Sequence, residues 1–83
     1  MTKLADKIEA LGERGSNELD GQVEIELFRP NSCFTAIRAN NAGTKVIYTD
    51  RAGNEVTAWA YDWTVKRERQ ETINRLRARE AKP

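Results

Sequence analysis

The sequence predicts an α+β domain: an N-terminal helix, a three-stranded antiparallel meander and a basic C-terminal helix. Three observations carry this prediction. Leu4, Ile8 and Leu11 recur at helical spacing near the start. Three segments rich in β-forming residues follow from Cys33, separated by two turn signals that each contain a glycine. After Asp62 the chain becomes strongly charged and keeps only a narrow stripe of Val65, Ile73 and Leu76, with Thr72 between them. A chain of 83 residues makes one domain, 1–83, because so short a polypeptide buries only about 60% of the surface its unfolded form exposes.

Taken in order, residues 3–11 read as an amphipathic helix with Ala5 beside the apolar stripe, capped by Thr2 and stopped near Gly12. Residues 13–21 read as a connection. Val23, Ile25 and Leu27 then alternate with Gln22, Glu24 and Glu26 between the breakers Gly21 and Pro30, the pattern of a half-buried strand, and periodicity favours that assignment. The competing assignment starts a helix at Ser16 or Asn17 and runs it through Leu19, Val23 and Leu27 at spacings of four, so residues 17–28 stand between strand and helix.

Strands are expected over 33–39, 44–49 and 55–61, joined by Asn-Asn-Ala-Gly and Arg-Ala-Gly-Asn. Cys33 reads as a small strand residue. Asp62 is placed to cap a helix running from Trp63 to near Ala81, in which Glu71 and Arg75 make a favourable pair one turn apart. If four residues close each hairpin, Ile47 lies opposite Ala58, Val46 opposite Trp59 and Ile37 opposite Val46. One face then carries Ile37, Val46, Tyr48, Trp59 and Tyr61. The other carries Phe34, Ala36, Ile47, Val56, Ala58 and Ala60, and a helical segment on each side of the sheet would cover both.

Composition narrows the function classes. Hydrophobic residues are 39% and charged residues 33% of the chain, a balance that excludes a membrane protein and a wholly disordered one. No apolar run approaches the roughly 18 residues of a membrane span, and MTKLADKIEA lacks the apolar region of a signal peptide, so a cytoplasmic protein without a membrane partner is expected. The single Cys33 allows no internal disulfide and no thiolate metal cluster. Histidine is absent, which removes the usual general base and the Ser-His and Cys-His nucleophile systems. No phosphate-binding glycine loop, dinucleotide fingerprint or calcium loop occurs either. The expectation is a non-enzyme with no catalytic residues, no metal and no cofactor.

Net charge is only +1, but residues 1–30 carry four basic and seven acidic side chains, whereas residues 63–83 carry seven basic and three acidic ones. Either the two ends neutralise one another and the solvent, or the basic helix meets a polyanion. In the second case Lys66, Arg67 and Arg69, with Arg38 and Lys45 from the sheet, are the nucleic-acid-binding candidates. The glutamates interleaved along the helix, and the suitability of late arginines to its dipole, favour the first. Of the six aromatic residues, Tyr48, Trp59 and Tyr61 are the protein-binding candidates, because Tyr and Trp dominate interface hot spots when nothing in their own chain covers them.

Two resemblances bear on function. KLADKIEALGERGSNELDGQVEIEL, residues 3–27, resembles the opening of short phage and prophage proteins, which implies a helix in the second half of that stretch and an accessory role. KVIYTDRAGNEVTAWAYDWTVKRERQETINRL, residues 45–76, is similar to the three-stranded arm-site DNA-binding domains of phage integrases, which insert their sheet into the major groove; Arg38, Lys45 and Arg51 would serve there. A helix, three strands and a helix is also the order of double-stranded RNA-binding domains, whose second helix begins with lysines where Lys66 and Arg67 stand.

The leading expectation is thus a small phage or mobile-element accessory protein that binds a host protein or protein complex, an anti-CRISPR inhibitor being the most concrete example. The alternatives are a nucleic-acid-binding module and a homo-oligomeric structural protein whose aromatic face is its own interface.

Overall fold

A computed structural model describes residues 3–80. The elements are α1 (Leu4–Glu9), α2 (Asn17–Leu27), β1 (Ala36–Ala39), β2 (Val46–Thr49), β3 (Glu55–Ala58) and α3 (Lys66–Glu80). The three strands form an antiparallel meander in the order β1-β2-β3. This is the α+β arrangement that the sequence predicts, with the ambiguity at 17–28 decided for helix.

The helix at α2 corrects the strand favoured by alternation, and the reason lies in its first turn. Ser16 caps it, its hydroxyl accepting the Leu19 N–H at 3.2 Å, and Glu18 and Asp20 place negative charge where the helix dipole favours it. Gly21, read as a breaker, instead sits buried in mid-helix, where a Cβ would meet Val46 and the Gly43 carbonyl at 3.8 and 3.9 Å. Leu19, Val23 and Leu27 then share one face and join the core. That core is helical: Ala5 and Ile8 of α1, Val23 of α2, and Ile73 and Leu76 of α3. α1 ends at Glu9, short of Gly12, and the expected cap Thr2 lies outside the described residues, as does Ala81 at the other end.

The strands are shorter than expected, for local reasons. Residues 31–34 form a turn in which the Asn31 side chain accepts the N–H groups of Cys33 and Phe34 at 2.8 and 2.9 Å, so β1 begins only at Ala36 and Cys33 is an exposed loop residue. The β1–β2 turn has the expected four-residue length but is shifted by one residue, pairing Ile37 with Tyr48 and Ala39 with Val46. Its Gly43 takes φ +73°, and Asn40 Oδ1 accepts the N–H groups of Thr44 and Lys45 at 2.9 and 3.1 Å.

The β2–β3 turn differs in length, and the consequence is larger. Asp50 N–H donates to Asn54 O at 2.9 Å and Gly53 N–H to Asp50 O at 3.1 Å, with Gly53 at φ +88°: a three-residue loop with its left-handed position on glycine. One residue fewer in the loop moves the register by one, so Val46 pairs with Ala58 and Tyr48 with Val56. Such a slip turns every β3 side chain to the other face. Ile37, Val46, Tyr48, Val56 and Ala58 therefore share the face toward the helices, while Ala36, Arg38, Ile47, Thr49, Glu55 and Thr57 form the other.

That register also ends β3 early. Beyond Ala58 the residues opposite would be 45 and below, which already belong to the turn, so residues 59–61 leave the sheet without a partner strand. The expectation of one helix on each face is corrected as well. α2 packs on β1 and β2, α3 packs on α1, and the second face of the sheet is left as a polar surface on which Arg38 pairs with Glu55 at 2.7 Å.

Asp62 does not cap α3, which starts at Lys66 rather than Trp63. Thr64 governs the entry instead. Its N–H and hydroxyl both donate to Asp20 Oδ1, at 2.8 and 2.7 Å, and its hydroxyl accepts the Ser16 N–H at 2.8 Å. Asp20, Thr64 and Thr72 are buried. The Asp20–Thr64 pin joins the start of α2 to the start of α3, with every donor satisfied.

Candidate protein-binding surface

The aromatic residues divide into two groups around Glu24. The strand assignment sends this carboxylate to solvent; in α2 it lies one turn beyond Asp20 and faces Tyr48 of β2 and Trp63. Trp63 Nε1–H donates to its Oε1 at 2.6 Å, and the Tyr48 hydroxyl donates to its Oε2. Burial, then the bond to Glu24 and its charge, raise the Tyr48 pKa and hold the phenol protonated. Phe28 and Phe34 flank the Tyr48 ring at centroid distances of 6.1 and 4.9 Å. Trp63 packs against the helical core, with the Arg75 guanidinium 5.2 Å from its ring centroid. Tyr48 and Trp63 are therefore framework.

Trp59 and Tyr61 are not. They follow β3 where the partner strand has turned away, and they stay 62% and 56% exposed. Each makes one ring contact with the rest of the chain among the described residues. The Lys45 ammonium lies 4.6 Å from the centre of the Trp59 ring, and Tyr61 meets Trp63 edge-on at 5.0 Å. Tyr61 and Trp63 line a groove of about 350 Å3 that continues over Thr72 to Arg75, with Glu24, Glu68 and Glu71 on its walls. Of the three protein-binding candidates, the structure leaves Trp59 and Tyr61 open and half-buries Tyr48.

Apart from Arg67, the nucleic-acid candidates are held by groups of the chain itself. Arg38 pairs with Glu55 at 2.7 Å, Lys45 lies over Trp59, and Lys66 meets Glu13 at 3.2 Å. Arg67 projects into solvent with Glu68 3.9 Å away. Arg69 is a strut: its guanidinium donates to the carbonyls of Leu11 and Gly12, each at 2.9 Å, and of Thr64, bridging the end of α1 to the entry of α3. Further along α3, Arg77 reaches Asp6 and Glu9 at 3.2 and 3.3 Å, and Arg79 lies 3.7 Å from Glu26. The acidic first third of the chain thus folds against the basic last third, which accounts for the uneven charge along the sequence. Arg75, expected to pair with Glu71, is turned toward Trp63.

Because Arg69 holds three carbonyls by charged donors, Arg69→Ala is expected to cost about 2 kcal/mol of stability, and Arg69→Lys most of that, since an ammonium cannot span them. Urea unfolding measures this; an unchanged midpoint would show that Arg69 is free for a ligand.

Sequence reasoning passed over Asp20, Glu24 and Arg75. The signal for the first two was present in the helical assignment, which puts acids at positions 20 and 24 on one face, one turn apart. Among the described residues no group of three or more His, Cys, Asp or Glu is arranged to hold a metal ion, and no helix is long and apolar enough to cross a membrane. No family model, curated protein or solved structure matches this chain.

Proposed function

We propose that this chain is a non-catalytic binding module that docks a partner protein through the exposed aromatics Trp59 and Tyr61. The observation that carries the proposal is the division of the aromatics: Tyr48 and Trp63 are tied to Glu24, while Trp59 and Tyr61 stand mostly in solvent. Large aromatics exposed together beside an uncovered sheet edge have the composition of interface hot spots and leave apolar surface that a partner would remove from water. The engagement of Lys66, Arg69 and Arg77 by groups of the chain itself weighs against α3 as a polynucleotide-binding helix, because these cations are not free to replace counterions on phosphates. The narrower role of a phage accessory protein that inhibits a host protein, in the manner of an anti-CRISPR, draws on the small size, the missing catalytic residues, the aromatic face and the resemblance of residues 3–27.

The test compares two immobilised chains, the wild type and Trp59→Ala/Tyr61→Ala, exposed to host lysate with and without nuclease treatment. A partner held by the wild type and at least about thirtyfold depleted on the variant is expected, in line with two hot-spot residues. Equal capture by both chains, or capture that disappears with nuclease, would overturn the proposal. A light-scattering mass of two chains for the wild type, reverting to one in the variant, would replace the partner with a second copy.

A further inference from the structure

Beside the aromatic groove, and sharing Arg75 with it, lies a second groove of about 370 Å3 lined by Leu27, Arg29, Arg75, Ala78 and Arg79. Three arginines line it. Arg29 is steadied by a 3.0 Å bond from its Nη1 to the Phe28 carbonyl. Arg75 is positioned by the Trp63 ring. Arg79 has its Nε buried with no hydrogen-bond partner among the described residues, the nearest carboxylate oxygen being that of Glu26 at 3.7 Å. Glu26 thus pairs with Arg79 without a hydrogen bond, and an acidic group entering the groove would add a second carboxylate to the three arginines that line it.

The surroundings select the kind of anion. The floor is apolar, from Leu27 and Ala78, and the adjoining groove carries Glu24, Glu68 and Glu71. A phosphodiester chain leaving the three arginines along that path would meet carboxylates. A polypeptide needs only one negative side chain at the arginines and can place an apolar neighbour against Tyr61 and Trp63. We propose that the Arg29, Arg75 and Arg79 groove receives an aspartate or glutamate side chain of the partner protein, next to an apolar residue seated in the aromatic groove. This assignment rests on the protein-binding proposal above and gives it a partner chemistry: an acidic residue adjacent to an apolar one.

The probe is a blocked peptide of alternating leucine and glutamate, titrated into the full ¹⁵N-labelled chain while the arginine Nε–H and tryptophan indole signals are followed. The glutamate peptide is expected to move the Arg75 and Arg79 Nε–H signals and both indoles. The matching leucine–glutamine peptide is expected to leave the arginine signals in place. Arg29→Gln and Arg75→Gln, both at exposed positions, are each expected to weaken glutamate-peptide binding about tenfold with an unchanged backbone spectrum, the effect of losing one charged hydrogen bond.

Arginine signals that ignore both peptides, or respond equally to both, would overturn the acidic-residue site. In that event, indoles that still move would leave the aromatic docking proposal standing, and indoles that do not would remove it too. Tighter binding of oligothymidylate than of the glutamate peptide at the same arginine signals would assign the groove to phosphate and overturn the proposal.

Discussion

Trp63→Ala is expected to lower the free energy of unfolding by about 3 kcal/mol, at the lower end of the range for a tryptophan removed from a core because this one is only partly buried. Three contacts disappear together. The ring leaves the cluster formed by Ile8, Val23, Ile73 and Leu76, the Arg75 guanidinium loses the face 5.2 Å away, and Glu24 loses the 2.6 Å bond from the indole N–H. Trp63→Phe separates these terms. It keeps most of the packing and drops the hydrogen bond, so a loss near 1 kcal/mol is expected. Urea unfolding of the two variants beside the wild type provides the measurement. A loss under about 1 kcal/mol for the alanine variant would mean that Trp63 is surface rather than framework.

Asp20→Ala is expected to cost a further large amount, about 2 kcal/mol, because it strands the buried Thr64 N–H and leaves the Thr64 hydroxyl only the Ser16 carbonyl at 3.3 Å. The Thr64 N–H and hydroxyl both point at Asp20 Oδ1, and Thr64 has no exposed surface through which water could replace it. Asp20→Asn retains an oxygen acceptor and should cost clearly less. The pair also has a pH signature. Burial, and then the charge of Asp62, raise the Asp20 pKa above its ordinary 3.8, outweighing the Thr64 bonds that lower it.

A carboxyl whose pKa rises on folding favours the folded state while protonated. Its contribution is complete below 3.8 and is lost as pH climbs through the raised value. The stability of the wild type relative to Asp20→Asn should therefore be greatest in acid and fall as pH rises from 3.8 through the raised value. A difference that grows over that interval would show that the bonds from Thr64, and not burial, dominate the titration.

The parts of the fold that could be read from the chain are those decided by chemistry a few residues wide. Gly43 and Gly53 both take positive φ in turns where the sequence offered them, and Leu4 and Ile8 mark α1. What escaped depends on counts or on distant partners. The Asp50–Asn54 loop uses three residues where four were expected, and that single residue moved Val56 and Ala58 to the opposite face and left Trp59 without Val46 across from it. No local pattern separates the two loop lengths, since Asp50 can close either.

Similarly, alternation at 22–27 and spacing by four at 19–27 fit the same letters. The choice was made by Ser16 at the cap and by Thr64, Tyr48 and Trp63, which meet Asp20 and Glu24 from the far side of the chain. The candidate surface inherits this. Trp59 and Tyr61 were identifiable as residue types suited to binding, but their exposure follows from the register and from where β3 stops. The arginines of the second groove were legible as charge. That Lys66 and Arg77 would be neutralised by α1 and its following turn, while Arg29, Arg75 and Arg79 would share an opening, required the packing of α3 on α1.

The division of the segment WAYDW into surface and framework is most directly tested by the urea unfolding of Trp59→Ala/Tyr61→Ala. The double variant gives up one cation–π contact and one edge-on ring contact, so a loss of no more than about 1.5 kcal/mol is expected, with a fully cooperative transition. A loss of about 4 kcal/mol or more, as for two core aromatics, would make Trp59 and Tyr61 part of the framework and contradict their role as docking residues.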